Sequence, residues 1–495
     1  MPRHRRAPSV HKFGGASLAD SPAVCHAVEI IGSYRPEPTV VVVSAMGGVT
    51  DALLEVARRA GDGDERTVAS LIAQLRSRHA EAARALLPAG RARAEMLAYV
   101  ADVFQELEAL AQGLRLVREL TPRTSDYLVS RGERLSARLF AAALEQAGAK
   151  ARYVDAADVI QTDGIFGQAS PDFPRTDRNA QRVLQPILTS GVIPVVPGFL
   201  GAAPTGEVTT LGRGGSDLTA TLLARALGAS RVLLWKDVPG LLTADPRVVP
   251  DARVIPQLHA REAAELAYYG AKVLHPRALI PLAGRRIPIH VRPFADPASA
   301  GTEVSERAAP GKSPVKALTA AGGQALITVT GNGMLGVPGI AARTFAALHS
   351  RKISVSLISQ ASSEHSICFS VPEPFSEQET RALANWVLAN HPAFIVNYHS
   401  AGGFMFGPRD GSAGELASAY ADASGYDWPS PSPGPGGGGG GQRSPLPYSA
   451  SGSMNSWLRQ VGVPAILVEL STPRGTEIER NLAGLTAVLH ALGTN

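Results

Sequence analysis

Between residues 9 and 300, short uninterrupted apolar runs alternate with longer stretches in which apolar positions recur every three or four residues. VVVVSA at 40–45, VIPVVPGF at 192–199, RVLLWKD at 231–237 and IPIHV at 287–291 are too short for helices and lack the alternation of a half-exposed strand. They predict strands buried on both faces. The helical stretches between them predict an α/β domain, a mostly parallel sheet sandwiched by helices. Residues 66–119 break this rhythm, because LIAQLRSRHAEAARALL and AEMLAYVADVFQELEALAQGL predict a helical hairpin standing beside the sheet.

After residue 300 the polar joint SERAAPGKSPVKA, within 301–318, reads as a linker. Over 319–372, ALITVTGNG, PGIAARTFAALHS, ISVSLISQ and HSICFSV predict strand, helix, strand, strand, the opening of a ferredoxin-like α+β unit. From 373 to 495 the texture changes again. Residues 429–445, PSPSPGPGGGGGGQRSP, cannot bury a core and predict a flexible loop. Beyond them MNSWLRQVGVPAILVELS and IERNLAGLTAVLHAL resume a helix, strand, helix pattern.

Composition narrows the class. A chain of 495 residues has room for two to four domains, and 45% hydrophobic with 18% charged residues is ordinary for a globular protein. No apolar run reaches membrane-spanning length, and no apolar signal core follows the basic start MPRHRRAPSV. Two cysteines, Cys25 and Cys368, argue against a disulfide framework and for a reducing cytoplasm. The net charge of +5 is spread among acids rather than clustered, so neither a nucleic-acid nor a membrane partner is expected.

Four turns carry the candidate chemistry, each where a strand meets a helix or loop. VHKFGGASL holds Lys12, Gly14, Gly15 and Ser17; VSAMGGVTD holds Ser44, Gly47, Gly48 and Thr50. LGRGGSDL holds Arg213, Ser216 and Asp217, and WKDVPGLLTADPR holds Lys236, Asp237, Asp245 and Arg247. In a parallel sheet such turns share the carboxyl edge of the strands and converge on one crevice. Lysine ammonium groups, glycine N–H groups and helix N-termini are what a polyphosphate needs there. None of the turns is a P-loop or a GxGxxG fingerprint. Blander readings stand beside these: a solvated Lys12, a tight βα connection capped by Ser216 or Asp217, and a Glu133 paired with Arg131 or Arg134.

HKFGGASL, VVVVSAMGGVTD, SRGERLSA, TLGRGGSD, WKDVPGLLTADPR and GAKVLHP, in this order over about residues 9–300, resemble the motif set of aspartate kinases in the amino-acid kinase family. The likeness is greatest to the subgroup fused to homoserine dehydrogenase, although Ala16 stands where threonine is usual. The resemblance implies ATP-dependent phosphorylation of the side-chain carboxylate of L-aspartate, with Mg²⁺ carried on the nucleotide. Lys12 would hold phosphate and neutralise transition-state charge, and Asp217 would organise the lysine and nucleotide rather than act as a base. Ser44, Thr50, Glu133, Arg213 and Ser216 would hold aspartate. Gly14, Gly15, Ser17, Lys236, Asp237, Pro239, Gly240, Asp245, Arg247 and Lys272 would join Lys12 in binding ATP. His275 reads as a packed histidine, since a carboxylate acceptor has no proton to lose.

The 319–372 unit resembles an ACT domain, which implies an amino-acid effector, lysine or threonine, and a homodimer. The segment from 373 resembles the C-terminal half of carboxypeptidase A-type zinc peptidases, while its periodicity equally permits SEQETRALANWVLA and AFIVNYH to be the last helix and strand of the ACT-like unit. On that likeness His399 would ligate zinc, Tyr448 would close on substrate and Glu469 would be the general base. The upstream H-x-x-E pair that zinc also requires has only two counterparts, His26 with Glu29 and His259 with Glu262, both inside kinase-like helices. Three rivals to an aspartate kinase follow: a kinase of the same fold for another carboxylate such as glutamate, a zinc carboxypeptidase-related protein, and a non-catalytic effector-binding protein.

Overall fold

The computed structural model describes residues 7–271, 273–307, 315–321, 324–330, 339–350, 353–360, 366–372, 395–399, 405–406 and 465–469. They fall into two units, residues 1–320 and 321–495. In chain order the first unit contains β1 (Ser9–Phe13), α1 (Ser21–Ser33), β2 (Thr39–Val43), α2 (Val49–Asp62), α3 (Glu65–Leu86), α4 (Arg91–Val117) and α5 (Pro122–Gln146). There follow β3 (Ala151–Tyr153), α6 (Phe173–Thr189), β4 (Ile193–Pro197), the hairpin β5 (Leu200–Ala202) and β6 (Val208–Thr210), α7 (Gly215–Leu227) and β7 (Arg231–Lys236). It ends with β8 (Gln257–His259), α8 (Ala260–Tyr268), β9 (Ile289–Pro293) and β10 (Thr302–Ser305).

Eight strands form one sheet in the order β3-β4-β2-β1-β7-β9-β10-β8, parallel at every pairing but β9 with β10. Every residue of β1, β2 and β4 is buried. Alternate side chains feed two cores. Val40, Val42, Val196 and Leu234 pack with α6 and α7 through Leu184, Leu222 and Leu223. Val41, Val43, Val195 and Trp235 pack with α1 and α5 through Ile31, Phe140 and Leu144. A strand covered on both faces has no solvent side to mark with polar residues, which is why its sequence is an unbroken apolar run.

The helical pair α3 and α4 forms a third core with α2 and α5, through Leu53, Ile72, Phe104, Leu107 and Leu128. This is the hairpin expected from residues 66–119. Two elements depart from the sequence reading: β9, expected at 287–291 to be buried on both faces, runs Ile289–Pro293 with His290 and Arg292 only half-buried, and β10. Residues 302–305, taken as the start of a polar joint, are strand β10 in the main sheet, and Thr302 Oγ1 accepts the Leu241 N–H at 2.8 Å. Its alternating burial, with only Thr302 and Val304 inside, disguised it as a polar segment.

The second unit contains β11 (Gln324–Thr330), α9 (Ile340–Ser350), β12 (Leu357–Gln360), β13 (Ser366–Pro372), β14 (Ile395–His399), β15 (Met405–Phe406) and β16 (Ala465–Glu469). Their order is β12-β13-β11-β14-β16-β15. Strand β13 lies between β11 and β12 and runs against both, the split βαβ of a ferredoxin-like module. Ile327, Leu348, Phe369 and Val371 form its core. Strand β14 runs antiparallel to β11 and parallel to β16, so the sheet continues past residue 372. The 429–445 loop and Tyr448 lie outside the described residues. Among the described residues, no helix is long and apolar enough to cross a membrane.

Candidate functional site

The carboxyl ends of β1, β2, β4 and β7 deliver their loops to one edge of the sheet, where a cleft of about 890 Å³ opens. Its walls include Lys12, Gly15, Ser44, Thr50, Glu133, Arg213, Ser216, Asp217 and Lys236. These residues are scattered over more than two hundred positions in sequence. Strand order brings them together.

At one end Asp217, in the first turn of α7, sits between two ammonium groups. Lys12 Nζ is 2.7 Å from Oδ1 and Lys236 Nζ 2.7 Å from Oδ2. Burial alone would raise the Asp217 carboxyl, but the two lysines outweigh it and hold it well below the usual carboxylate range. Burial pushes the Lys12 ammonium down, Asp217 opposes that, and Lys236 adds to it. Two lysine side chains thus face one carboxylate in a buried place. Helix α7 starts at Gly215 with Gly214 as its N-cap at φ +74° and no side-chain cap; Gly215 N–H donates to the Gly212 carbonyl at 2.9 Å, and the N–H groups of Ser216 and Asp217 are the ones turned to a ligand. Gly214 also cannot be replaced for reasons of space, since a Cβ there would lie 2.4 Å from Cβ of His275.

At the other end Glu133, 3% exposed on α5, accepts a hydrogen bond from Thr50 Oγ1 at 3.3 Å, and its other oxygen has no hydrogen-bond partner among the described residues. Burial pushes this carboxyl up to about 7. Its arginine neighbours on α5 are engaged elsewhere: Arg131 with Glu106 at 2.8 Å and Arg134 with Asp155 at 2.9 Å. Ser44 Oγ donates to Ser216 Oγ at 3.0 Å and joins the two halves. Arg213 is exposed on the cleft wall. A buried carboxylate with a free oxygen, an available guanidinium and two hydroxyls make a receptor for a small molecule bearing an ammonium and carboxylates.

Other expected residues fall outside the cleft wall. Gly14 lies beside Lys12, where a Cβ would come 3.4 Å from Nζ, and Ser17 Oγ reaches the Trp235 carbonyl at 3.5 Å. Asp237 and Pro239 are exposed past the end of β7, and Gly240 packs on Thr302 and Val254. Asp245 and Arg247 pair with each other at 2.7 Å, the arginine 84% exposed. Lys272 lies outside the described residues. His275, by contrast, does line the cleft; its ring is held down from its ordinary value by burial and by Arg277, and its Nδ1 accepts the Arg277 N–H at 3.3 Å.

Three contributors escaped the sequence reading. Phe199 lines the cleft at φ +71°, a strained position for an aromatic residue that only its place after VVPG could have hinted at. Arg277 donates to the Leu211 carbonyl at 2.5 Å and the Ala169 carbonyl at 3.1 Å, steadying the GRGGSD turn from below. Asp126, buried on α5 seven residues before Glu133, accepts the N–H groups of Gly167 and Thr210 and the Thr210 hydroxyl at 2.7–2.9 Å. Among the described residues no group of three or more histidines, cysteines, aspartates or glutamates is placed to hold a metal ion.

Comparison with known proteins follows the same division. The amino acid kinase family model matches residues 8–293, and an ACT domain model matches residues 327–385. Lysine-sensitive aspartokinase 3 of Escherichia coli is 37% identical over 356 residues, 70% of this chain and 75% of that protein. Bifunctional aspartokinase/homoserine dehydrogenase 2 of Arabidopsis thaliana, a chloroplastic protein, is 34% identical over 381 residues, 76% of this chain and 41% of that protein. The chain thus spans about two fifths of the length of its bifunctional relatives. The crystal structure of E. coli aspartokinase III in complex with aspartate and ADP superposes with a TM-score of 0.67 at 34% identity, covering 76% of this chain and 83% of that one. The chain belongs to the amino acid kinase family, in its aspartokinase branch.

Proposed function

We propose that the protein is an aspartate kinase, transferring the γ-phosphoryl group of ATP to the side-chain carboxylate of L-aspartate to give 4-phospho-L-aspartate. The observation that carries this reading is the pairing, in one cleft, of a Lys12–Asp217–Lys236 cluster with a buried Glu133 whose free oxygen awaits a cation. Lys12 and Lys236 offer positive charge to the phosphates, and the N–H groups of Gly15 and the start of α7 add donors. Asp217 keeps both ammonium groups aimed and charged. Thr50 and Glu133 take the substrate ammonium, Arg213 a carboxylate, and Ser44 with Ser216 the remaining polar edge.

The acceptor carboxylate arrives deprotonated, so no side chain needs to remove a proton. Catalysis is then positioning plus neutralisation of charge on the moving phosphoryl group. Mg²⁺ suits this site as a passenger on the nucleotide, because Asp217 is already occupied by two lysines and Mg²⁺ commonly binds through phosphates and few carboxylates. Gly14, Ser17, Asp237, Pro239, Gly240, Asp245, Arg247 and Lys272 belong to the nucleotide side of this reading by resemblance. A coupled assay of L-aspartate-dependent ADP release tests it. Activity that is lost in Lys12→Ala and Asp217→Ala is expected; equal rates with glutamate, or unchanged rates in both variants, would sink it.

The ACT match supports an amino-acid effector, and an E. coli aspartokinase III structure is described in complex with lysine and aspartate in a T-state. Lysine and threonine are the effectors to test, by inhibition of the same assay. A homodimer in a reducing cytoplasm completes the reading, consistent with a chain that carries only two cysteines. The lysine, threonine and methionine pathways would be the product's destination.

For the tail, one observation favours the peptidase likeness: β14 and β16 pair in parallel with His399 directly across from Glu469. Metal analysis of purified protein decides it. Stoichiometric zinc supports a peptidase-like site, and zinc at trace level removes it.

A further inference from the structure

The two glycine turns that carry Lys12's loop and the Ser44–Thr50 loop pass each other backbone to backbone. A Cβ on Gly15 would lie 3.3 Å from the Ala45 carbonyl oxygen, and one on Gly47 would lie 3.1 Å from the Gly15 carbonyl oxygen. At the strand ends Ser44 N–H donates to the Phe13 carbonyl at 3.1 Å. Beyond that point the hydrogen bonds that join the two loops, among the described residues, come from a side chain of neither loop. Arg78, half-buried on α3, donates from Nη1 to the Gly47 carbonyl at 2.7 Å and from Nη2 to the Ala19 carbonyl at 2.7 Å. The next residue on α3, His79, and Leu75 one turn earlier are buried in the helical core, which fixes where the Arg78 stem starts.

We propose that Arg78 is a positioning residue for the phosphoryl transfer: its guanidinium locks the nucleotide-side loop and the substrate-side loop into one register. The inference rests on the aspartate kinase reading. Arg78 does not line the cleft, so it acts through the loops and touches neither substrate. The residue type suits the task. A planar guanidinium places two donors at a fixed separation and can hold two carbonyls from different segments, whereas an ammonium is a point charge that fixes one. In a trans peptide the C=O and the following N–H point in opposite directions, so pinning the Gly47 carbonyl also turns the Gly48 N–H away from Arg78. Gly48 lines the cleft and is the N-cap of α2, whose first turn bears Thr50. Through this one side chain, a helical pair that contributes nothing to the cleft wall governs the spacing between the Lys12 half and the Thr50–Glu133 half. In-line transfer depends on that spacing.

The test is steady-state kinetics of aspartate-dependent ADP release by the full chain, with thermal midpoints recorded alongside. Arg78→Ala is expected to lower kcat by about 10- to 100-fold, the scale of a misplacement near 1 Å. KM for aspartate and for ATP should each move by less than about threefold, since each half-site stays intact. Methylguanidinium added to Arg78→Ala should restore part of kcat, a response that lost packing would not give. Arg78→Lys, which keeps stem and charge, should show a smaller fall in kcat at an unchanged midpoint, and it carries the test where Arg78→Ala does not fold. Wild-type kcat in either soluble variant overturns the inference, as does a change confined to one KM or a fall in kcat matching only the lost folded fraction. A wild-type protein without aspartate-dependent ADP release is a different failure: it removes the activity reading, and the inference with it.

Discussion

Two buried carboxylates face the same cleft, and their surroundings pull them in opposite directions. Asp217 lies between two ammonium groups at 2.7 Å and is held far below the ordinary carboxylate range against the effect of burial. Glu133 has the Thr50 hydroxyl at 3.3 Å and one oxygen with no hydrogen-bond partner among the described residues, and burial outweighs its own backbone, Thr50 and the Ala45 backbone to lift it to about 7. The first site already holds its counter-ions in the free protein, one ammonium 2.7 Å from each carboxylate oxygen. The second is incomplete, and a substrate ammonium would supply what is missing. Preformed charge suits a site that must stabilise a transition state, while an unfilled buried acceptor suits a site that must select a ligand.

Removing either carboxylate breaks this contrast in a different way, and Asp217 gives the larger effect. Asp217→Ala leaves two ammonium groups facing each other in a buried place, which should cost about 3–5 kcal/mol of stability and abolish measurable turnover. Lys12→Ala should be milder on the fold, because Asp217 keeps Lys236, yet lower kcat by about 10²–10³-fold. Thermal midpoints and the ADP assay on both variants separate the two outcomes. A stable, active Asp217→Ala would show that the pair is not the catalytic centre.

Glu133→Gln should behave otherwise. The amide can still accept from Thr50 and is easier to bury, so the midpoint should hold or rise. Affinity for aspartate should fall about 10- to 100-fold through KM, because a charge-assisted hydrogen bond to the ammonium is lost. A Glu133→Gln protein with an unchanged KM for aspartate would remove Glu133 from the receptor.

The raised carboxyl makes a pH prediction whose sign follows directly. Below about 7 Glu133 in the free protein holds a proton and must lose it before it can meet an ammonium, so kcat/KM for aspartate should rise with pH up to about 7 and then level. Stability runs the other way. A carboxyl whose folded value is raised favours the fold fully below its unfolded value near 4.5, and that contribution is lost as pH rises through about 7. Glu133→Gln should flatten both slopes. A wild-type profile for aspartate that is flat between pH 5.5 and 8 would contradict the burial argument.

The contrast between these residues also marks what the sequence could disclose. The buried strands were legible because double coverage leaves unbroken apolar runs, and the glycine turns because their residues demand special backbone shapes. Convergence of the loops could be argued from a parallel sheet. Environment could not: nothing in SRGERLSA says that Arg131 and Arg134 turn to Glu106 and Asp155 and leave Glu133 unpaired. Arg78, Asp126 and Arg277 were likewise invisible, since each works through carbonyls or N–H groups that lie far off in sequence and carry no residue signature. Strand β10 was missed because its half-exposed alternation reads as a polar joint.

The smallest effect belongs to Asp245 and Arg247, which resemblance puts beside the nucleotide. They bind each other in the open, and Arg247 draws the Asp245 carboxyl down to about 2 through hydrogen bonds made in solvent. An exposed pair of this kind contributes little to a fold, because water and salt screen it. Asp245→Asn should therefore leave the midpoint unchanged. If the pair meets ATP only when nucleotide is bound, KM for ATP should rise a few-fold in Arg247→Ala, and the rise should shrink at high ionic strength. Lys236→Ala, on a cation that is only 16% exposed and already bonded to Asp217, should keep its defect in the same salt. An Arg247→Ala protein whose KM for ATP matches wild type at low salt would confine nucleotide recognition to the buried lysines and the glycine turns.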